Sequence, residues 1–313
     1  MKYGLLLFWI QLGFTVLAQE PRPNPAAQMQ QLLVTAYERE AIIKNSVQEA
    51  RQQIRAQLHS REDLQVFDSL FSRMLGSNSQ EYAFPARFDT AIETVTDQGA
   101  FLQMIDDLRK LKLQHYTFEN YQLARQSGSG FQLIQDSPTS QQIAFFELQA
   151  GDRVGELGAG SGWMAFLLGT LYDSIAIQIN EISTELVERI EQEMAHKLTS
   201  RQQARFSTVL GTEQSTGMEG ESLDVIIAID AFHHFSDRIG MLEAIKQSLA
   251  AGGRLCLVEQ VNEADFPKAY CPEALEKTEF EAFMQENGFV KIREQQLASA
   301  TSSHTVMFEY RMK

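Results

Sequence analysis

The stretch Val154-Gly155-Glu156-Leu157-Gly158-Ala159-Gly160-Ser161-Gly162-Trp163 decides how the rest of the chain is read. It opens as a strand, passes through glycines at alternate positions and runs into an apolar helix. Glycine tolerates a positive φ and lets a ligand approach the backbone closely. The helix that follows presents unsatisfied N–H groups, a favourable place for a carboxylate or phosphate. Two common glycine motifs do not fit. A dinucleotide fingerprint needs a third glycine where Trp163 stands, and the Gly-Lys-Ser/Thr of a phosphate-binding loop is missing.

Working outward, short β-branched runs alternate with helical stretches. Strands are expected at 153–157, 174–179, 205–210, 223–229 and 253–259, with helices near 162–171, 183–198, 237–249 and 272–287. That alternation predicts a mostly parallel α/β sheet covered on both faces. Two last strands, near 290–296 and 305–310, predict an antiparallel end to it. The whole unit runs from Phe131 to Lys313.

Further motifs fall in order. Ser222-Leu223-Asp224-Val225-Ile226-Ile227-Ala228-Ile229-Asp230-Ala231-Phe232-His233-His234-Phe235 reads as a buried strand and the loop after it. Leu249-Ala250-Ala251-Gly252-Gly253-Arg254-Leu255 is a glycine turn into the next strand, and Asn287-Gly288-Phe289 leads into the last pair. With the first motif, this series resembles the class I S-adenosylmethionine-dependent methyltransferases, departing from them where Ala251 replaces the usual proline. Residues 128–142 are reminiscent of protein-isoaspartate methyltransferases. The resemblance implies a Rossmann-like class I methyltransferase sheet and S-adenosyl-L-methionine as cofactor.

The same resemblance implies roles. Gly158, Ala159, Gly160 and Gly162 pass close to the methionine part, and Glu156 fixes the turn or meets the methionine ammonium. Thr212 and Glu213 lie beside adenine. Asp230 to Phe235 flank the transferring methyl, with Phe232 or Phe235 facing the sulfonium. This makes Asp230, His233 and His234 the catalytic candidates, and Asp230 a cofactor contact as well. An imidazole titrates near neutrality and can deprotonate a nucleophile; in the alternative, one ring packs the loop and the other faces solvent. No metal-ligand spacing surrounds the pair, so no metal is expected. The second strand of the family ends in a carboxylate that takes the ribose hydroxyls. Aligned over Ile175–Glu181, that position falls on Gln178, with Glu181 serving only if the register slips. Gln178 lacks charge assistance, which predicts weak cofactor binding.

The first half names no chemistry. Lys2 and the apolar run from Leu5 to about Leu17, closed by Val16-Leu17-Ala18, read as a signal peptide over 1–18, with Gln19 the new N-terminus; an uncleaved anchor is the alternative. Residues 19–25 read as a linker and 26–130 as a helical region. Helices are expected over 26–59, 63–75, around 101–111 and near 118–125. This layer is expected to cover the active-site mouth or form the acceptor site, and to be separable from a domain that still binds adenosyl ligands. The net charge of -14 argues against nucleic acid and against an anionic membrane as partner. Export permits a Cys256–Cys271 disulfide, but Cys256 sits in an apolar strand pattern where free cysteines are common. The methyl acceptor and the oligomeric state have no signature in the sequence.

Overall fold

The structure, a computed structural model, describes residues 24–76, 97–120, 124–127, 130–133, 137–264, 269, 271–297 and 304–313. The expected signal peptide and most of the linker lie outside the described residues. Among the described residues no helix is long and apolar enough to cross a membrane.

Helix α1 (Pro25–Gln57) begins where Asn24 accepts a hydrogen bond from the Ala27 N–H at 2.9 Å and Pro25 takes the first turn, the favoured chemistry of a helix start. Leu32, Ala36, Ile43, Val47 and Ile54 are buried along one stripe. Helices α2 (Arg61–Gly76) and α3 (Gln98–Asn120) follow. A fourth helix near 118–125 does not form. Residues 118–120 finish α3, and β1 (Ala124–Ser127) pairs antiparallel with β2 (Gly130–Leu133). The expected domain boundary at residue 130 therefore lies inside a hairpin.

Next come α4 (Pro138–Phe146), β3 (Arg153–Leu157), α5 (Trp163–Leu171), β4 (Ala176–Glu181), α6 (Thr184–Lys197), the short α7 (Ser200–Gln203), β5 (Phe206–Leu210) and β6 (Leu223–Ile229). A 3-10 turn at Phe232–His234 leads to α8 (Arg238–Ser248), β7 (Leu249–Asn262), β8 (Leu275–Glu276), α9 (Lys277–Glu286), β9 (Phe289–Gln296) and β10 (Thr305–Met312). The sheet order is β5-β4-β3-β6-β7-β10-β9, with β8 beside β7. Strands β3 to β7 are mutually parallel, and β10 runs antiparallel to both β7 and β9. The predicted α/β sheet with its antiparallel end is the one observed.

Side chains of a strand alternate between faces, and β6 divides two cores accordingly. Val225 and Ile227 enter one cluster, Ile226 and Ala228 the other. The first cluster also holds Leu32, Ile43, Phe67, Phe101 and Leu108 of α1 to α3. The helical region thus completes one face of the sheet and shares its core.

Its polar anchors have a consistent location. Arg39 donates from Nε to the Thr170 carbonyl at 2.6 Å and pairs with Asp173, just before β4. Arg109 donates to the His196 carbonyl at 3.1 Å. Gln114 reaches the Lys197 carbonyl at 3.1 Å and exchanges hydrogen bonds with Gln202, ahead of β5. Gln28 meets Glu147, ahead of β3. Each of these partners precedes a strand. Helices α1 and α3 are thus fastened at the starts of the strands. Their described polar anchors lie where the chain enters the strands, because the last carbonyls of α5 and α6 need donors there.

Candidate functional site at the strand ends

The other edge of the sheet carries the glycine turn. Gly158, Gly160 and Gly162 have φ of 61°, 57° and 69°. At Gly158 a Cβ would come within 2.9 Å of the Ala231 Cβ, so the turn after β3 and the loop after β6 touch. At Gly160 a Cβ would meet nothing within 4 Å, so this backbone faces open space. The Ala159 N–H donates to the Asn180 carbonyl at 3.0 Å, tying the turn to β4.

Gly162 is the N-cap of α5 and has no side chain to cap it. Glu156, inside β3, replaces that function: its Oε2 accepts from the Ala165 N–H at 3.0 Å. Glu156 thereby ties the start of α5 to β3. Burial pushes its carboxyl up to about 8, opposed by that one backbone hydrogen bond.

Strand β4 ends at Glu181, not at Gln178. Gln178 pairs with Gly155 in mid-strand and is half-buried. Three residues are roughly 10 Å of strand and an odd offset, so the two side chains point to opposite faces. Glu181 is buried against the glycine turn. Its Oε2 accepts from the Gly160 N–H at 2.9 Å, and its Oε1 from the N–H groups of Ile182 and Ser183 at 2.8 and 3.3 Å. The carboxylate at this strand end is present, and the case for a weakened site at Gln178 falls. Beside it, Gly211 donates to the Glu181 carbonyl at 3.0 Å, followed by exposed Thr212 and Glu213.

The loop after β6 starts at Asp230, a non-glycine residue at φ 51°, a conformation Asp tolerates better than most residues. Its exposed carboxylate accepts from Gln260 at 3.2 Å. Glu259 of β7 organises the rest. One oxygen accepts from the Ala231 and Phe232 N–H groups at 3.2 and 2.8 Å, and the other meets His233 Nδ1 at 2.6 Å. The Glu259 hydrogen bond raises His233 to about 9, against the opposing effect of burial. Buried and held by Glu259, this imidazole packs the loop. His234 is exposed, with Nδ1 at 2.6 Å from Glu273. Phe232 is fully buried, edge-on to Phe280 at 5.6 Å, so of the two aromatics only half-buried Phe235 stays near the surface.

The strand ends therefore gather Glu156, Gly158, Ala159, Gly160, Gly162, Thr212, Glu213, Asp230, His233 and His234, and leave Gln178 behind. Asn180 and Glu259 belong to this edge and were missed. Each is a polar residue near the end of an apolar strand, which is the signal that marks it. Cys256 is buried and Cys271 half-buried, and the structure joins neither in a disulfide.

The chain is similar to known proteins. Residues 156–255 match the methyltransferase domain family. The chain is 31% identical over 123 residues to the 27-O-demethylrifamycin SV methyltransferase of Amycolatopsis mediterranei (strain S699), a match covering 38% of this chain and 42% of that relative. Among solved structures, a methyltransferase from Aquifex aeolicus aligns over 55% of this chain and 88% of its own, at 15% identity and a TM-score of 0.47. The (4+2)-cyclase SpnF aligns over 67% of this chain and 96% of its own, at 14% identity and a TM-score of 0.50. With its strand order, glycine turn and antiparallel final pair, the C-terminal part of this chain has the fold of the class I S-adenosylmethionine-dependent methyltransferases.

Proposed function

We propose that this protein transfers a methyl group from S-adenosylmethionine to an acceptor. The observation that carries the reading is the clasped glycine turn: Gly160 faces open space on one side while its N–H is held by Glu181. This cradle suits an adenosyl ligand. The first N–H groups of α5 would face the methionine carboxylate, Glu181 the ribose, Thr212 and Glu213 the adenine, and Asp230 the acceptor side. When bound, the cofactor supplies an electrophilic methyl. The protein's contribution is to hold donor and acceptor in line, since displacement at a sulfonium depends mainly on positioning.

Calorimetry with S-adenosylhomocysteine tests the site. Wild type should bind, and Gly160→Asp should abolish binding with the fold intact, because its carboxylate would fill the cradle and repel the ligand's own. Unchanged binding by Gly160→Asp would remove the reading. An acceptor screen with labelled cofactor then tests turnover. The likeness to the (4+2)-cyclase SpnF supports a second reading, a protein of the same fold without methyl transfer. Binding without any release of S-adenosylhomocysteine across the screen would favour it. The narrower reading, repair of damaged aspartyl residues, draws support from the sequence of residues 128–142.

Export is part of the proposal, supported by the charged and apolar segment of residues 2–18. N-terminal sequencing of native protein should start at or near Gln19, and an intact Met1 would favour the anchored alternative.

A further inference from the structure

We infer that His233, His234 and Cys271 form a binding site for a borderline-soft divalent metal ion, zinc foremost. One ring nitrogen from each histidine and the Cys271 Sγ lie within 4.8 Å of one another. A tetrahedral ion with bonds of about 2.0–2.3 Å holds its ligands roughly 3.3–3.8 Å apart, so a small inward movement of the side chains closes the site.

The surroundings match what metal-bound histidines need. Such a ring binds through one nitrogen while a carboxylate or carbonyl fixes the other. Both rings have that arrangement. Glu259 holds His233 by Nδ1 and Glu273 holds His234 by Nδ1, each at 2.6 Å. Nε2 is left as the available nitrogen in both. The His233 side chain is 1% exposed, and its Nε2 has no hydrogen-bond partner. A buried polar atom without a partner is costly, and coordination, replacing the Nε2 proton, would satisfy it. The two rings lie 3.9 Å apart between centroids, and Cys271 is a free, half-buried thiol. Two imidazoles and a thiolate suit zinc. Three protein ligands leave a fourth position for water or an acceptor atom, on the loop that borders the cofactor edge. The inference does not depend on methyl transfer.

The test uses the full chain, freed of metal with a chelator, kept reduced and titrated with Co2+ as a spectroscopic probe. One equivalent should give the intense visible bands of tetrahedral cobalt and a near-ultraviolet thiolate-to-cobalt band, both removed by Zn2+. Cys271→Ser should eliminate the thiolate band, and His234→Ala should weaken Co2+ at least tenfold. Glu273→Gln should weaken it about tenfold, as for other outer-shell partners. His234, Cys271 and Glu273 lie at or near the surface, and circular dichroism with thermal melting verifies that each variant folds. Absence of tetrahedral bands in wild type, or a thiolate band that survives Cys271→Ser, would overturn the inference.

Discussion

Strand β4 has two ends, and the molecule uses them differently. At its start, Arg39 of α1 reaches Asp173 and the Thr170 carbonyl. At its finish, some 20 Å away at ~3.3 Å per residue, Glu181 clasps the glycine turn. The entry edge is fastened by long side chains reaching across the chain onto helix ends. The exit edge is built from local backbone: positive-φ glycines, strand-end carboxylates and one strained Asp230. If the exit edge holds the cofactor as proposed, fastening and recognition are kept apart, and changes at one edge should register mainly as stability and at the other mainly as affinity.

The strongest challenge to this division is removal of residues 1–120. The first core cluster contains Leu32, Ile43, Phe67 and Phe101 together with Ile143, Phe166 and Ile177. A chain starting at residue 121 would expose that face. Calorimetry should show no cooperative unfolding and no S-adenosylhomocysteine binding. A shortened chain that melts cooperatively and binds normally would show the entry edge to be dispensable.

Glu156 sharpens the exit edge through pH. Its folded value of about 8 lies above the ordinary 4.5. The neutral form is favoured on folding, so this contribution is fully present below about pH 4.5 and lost as pH rises through about 8. At about 1.4 kcal/mol per unit, the loss is on the order of 3–5 kcal/mol. Glu156→Gln keeps an acceptor for the Ala165 N–H and does not titrate. Chemical denaturation should find wild type and variant similar at pH 4.5, with the variant increasingly more stable toward pH 9. Parallel pH profiles would show that this carboxyl ionises freely.

Arg39→Ala tests the entry edge alone. Losing its bonds to Thr170 and Asp173 should destabilise by about 2 kcal/mol, allowing for the exposure of Asp173, with S-adenosylhomocysteine affinity unchanged within about twofold. A large affinity loss without destabilisation would couple the two edges. The smallest effects are expected at the end of β4. Glu181→Gln should weaken S-adenosylmethionine about tenfold, or about 1.4 kcal/mol, whereas Gln178→Glu should leave affinity nearly unchanged. Tightening by Gln178→Glu would restore the sequence alignment that the strand end overturns.

That alignment shows where sequence reading stops. The β6 run Leu223–Ile229 was legible to the residue, because a strand buried on both faces is almost wholly apolar, here from Val225 onward. The β4 pattern was legible as a strand but placed two residues early, at 174–179 instead of Ala176–Glu181. Its last residues, Asn180 and Glu181, are polar although buried, and polarity reads as loop. That slip moved the carboxylate role to Gln178. The glycine turn was legible because only glycine fits its backbone. The anchors of α1 were not: periodicity marks an apolar face without naming what covers it. The tie between His234 and Glu273, 39 residues on, and the approach of Cys271 to the histidine pair exist only once β7 and α9 are in place.

Arg39 also has a consequence in time. It meets Thr170 across 131 residues of chain. A ribosome adding ~5–20 residues per second takes roughly 7–26 s to cover that distance. For that interval Arg39 awaits Thr170 and Asp173, although α1 already has α3 to pack against.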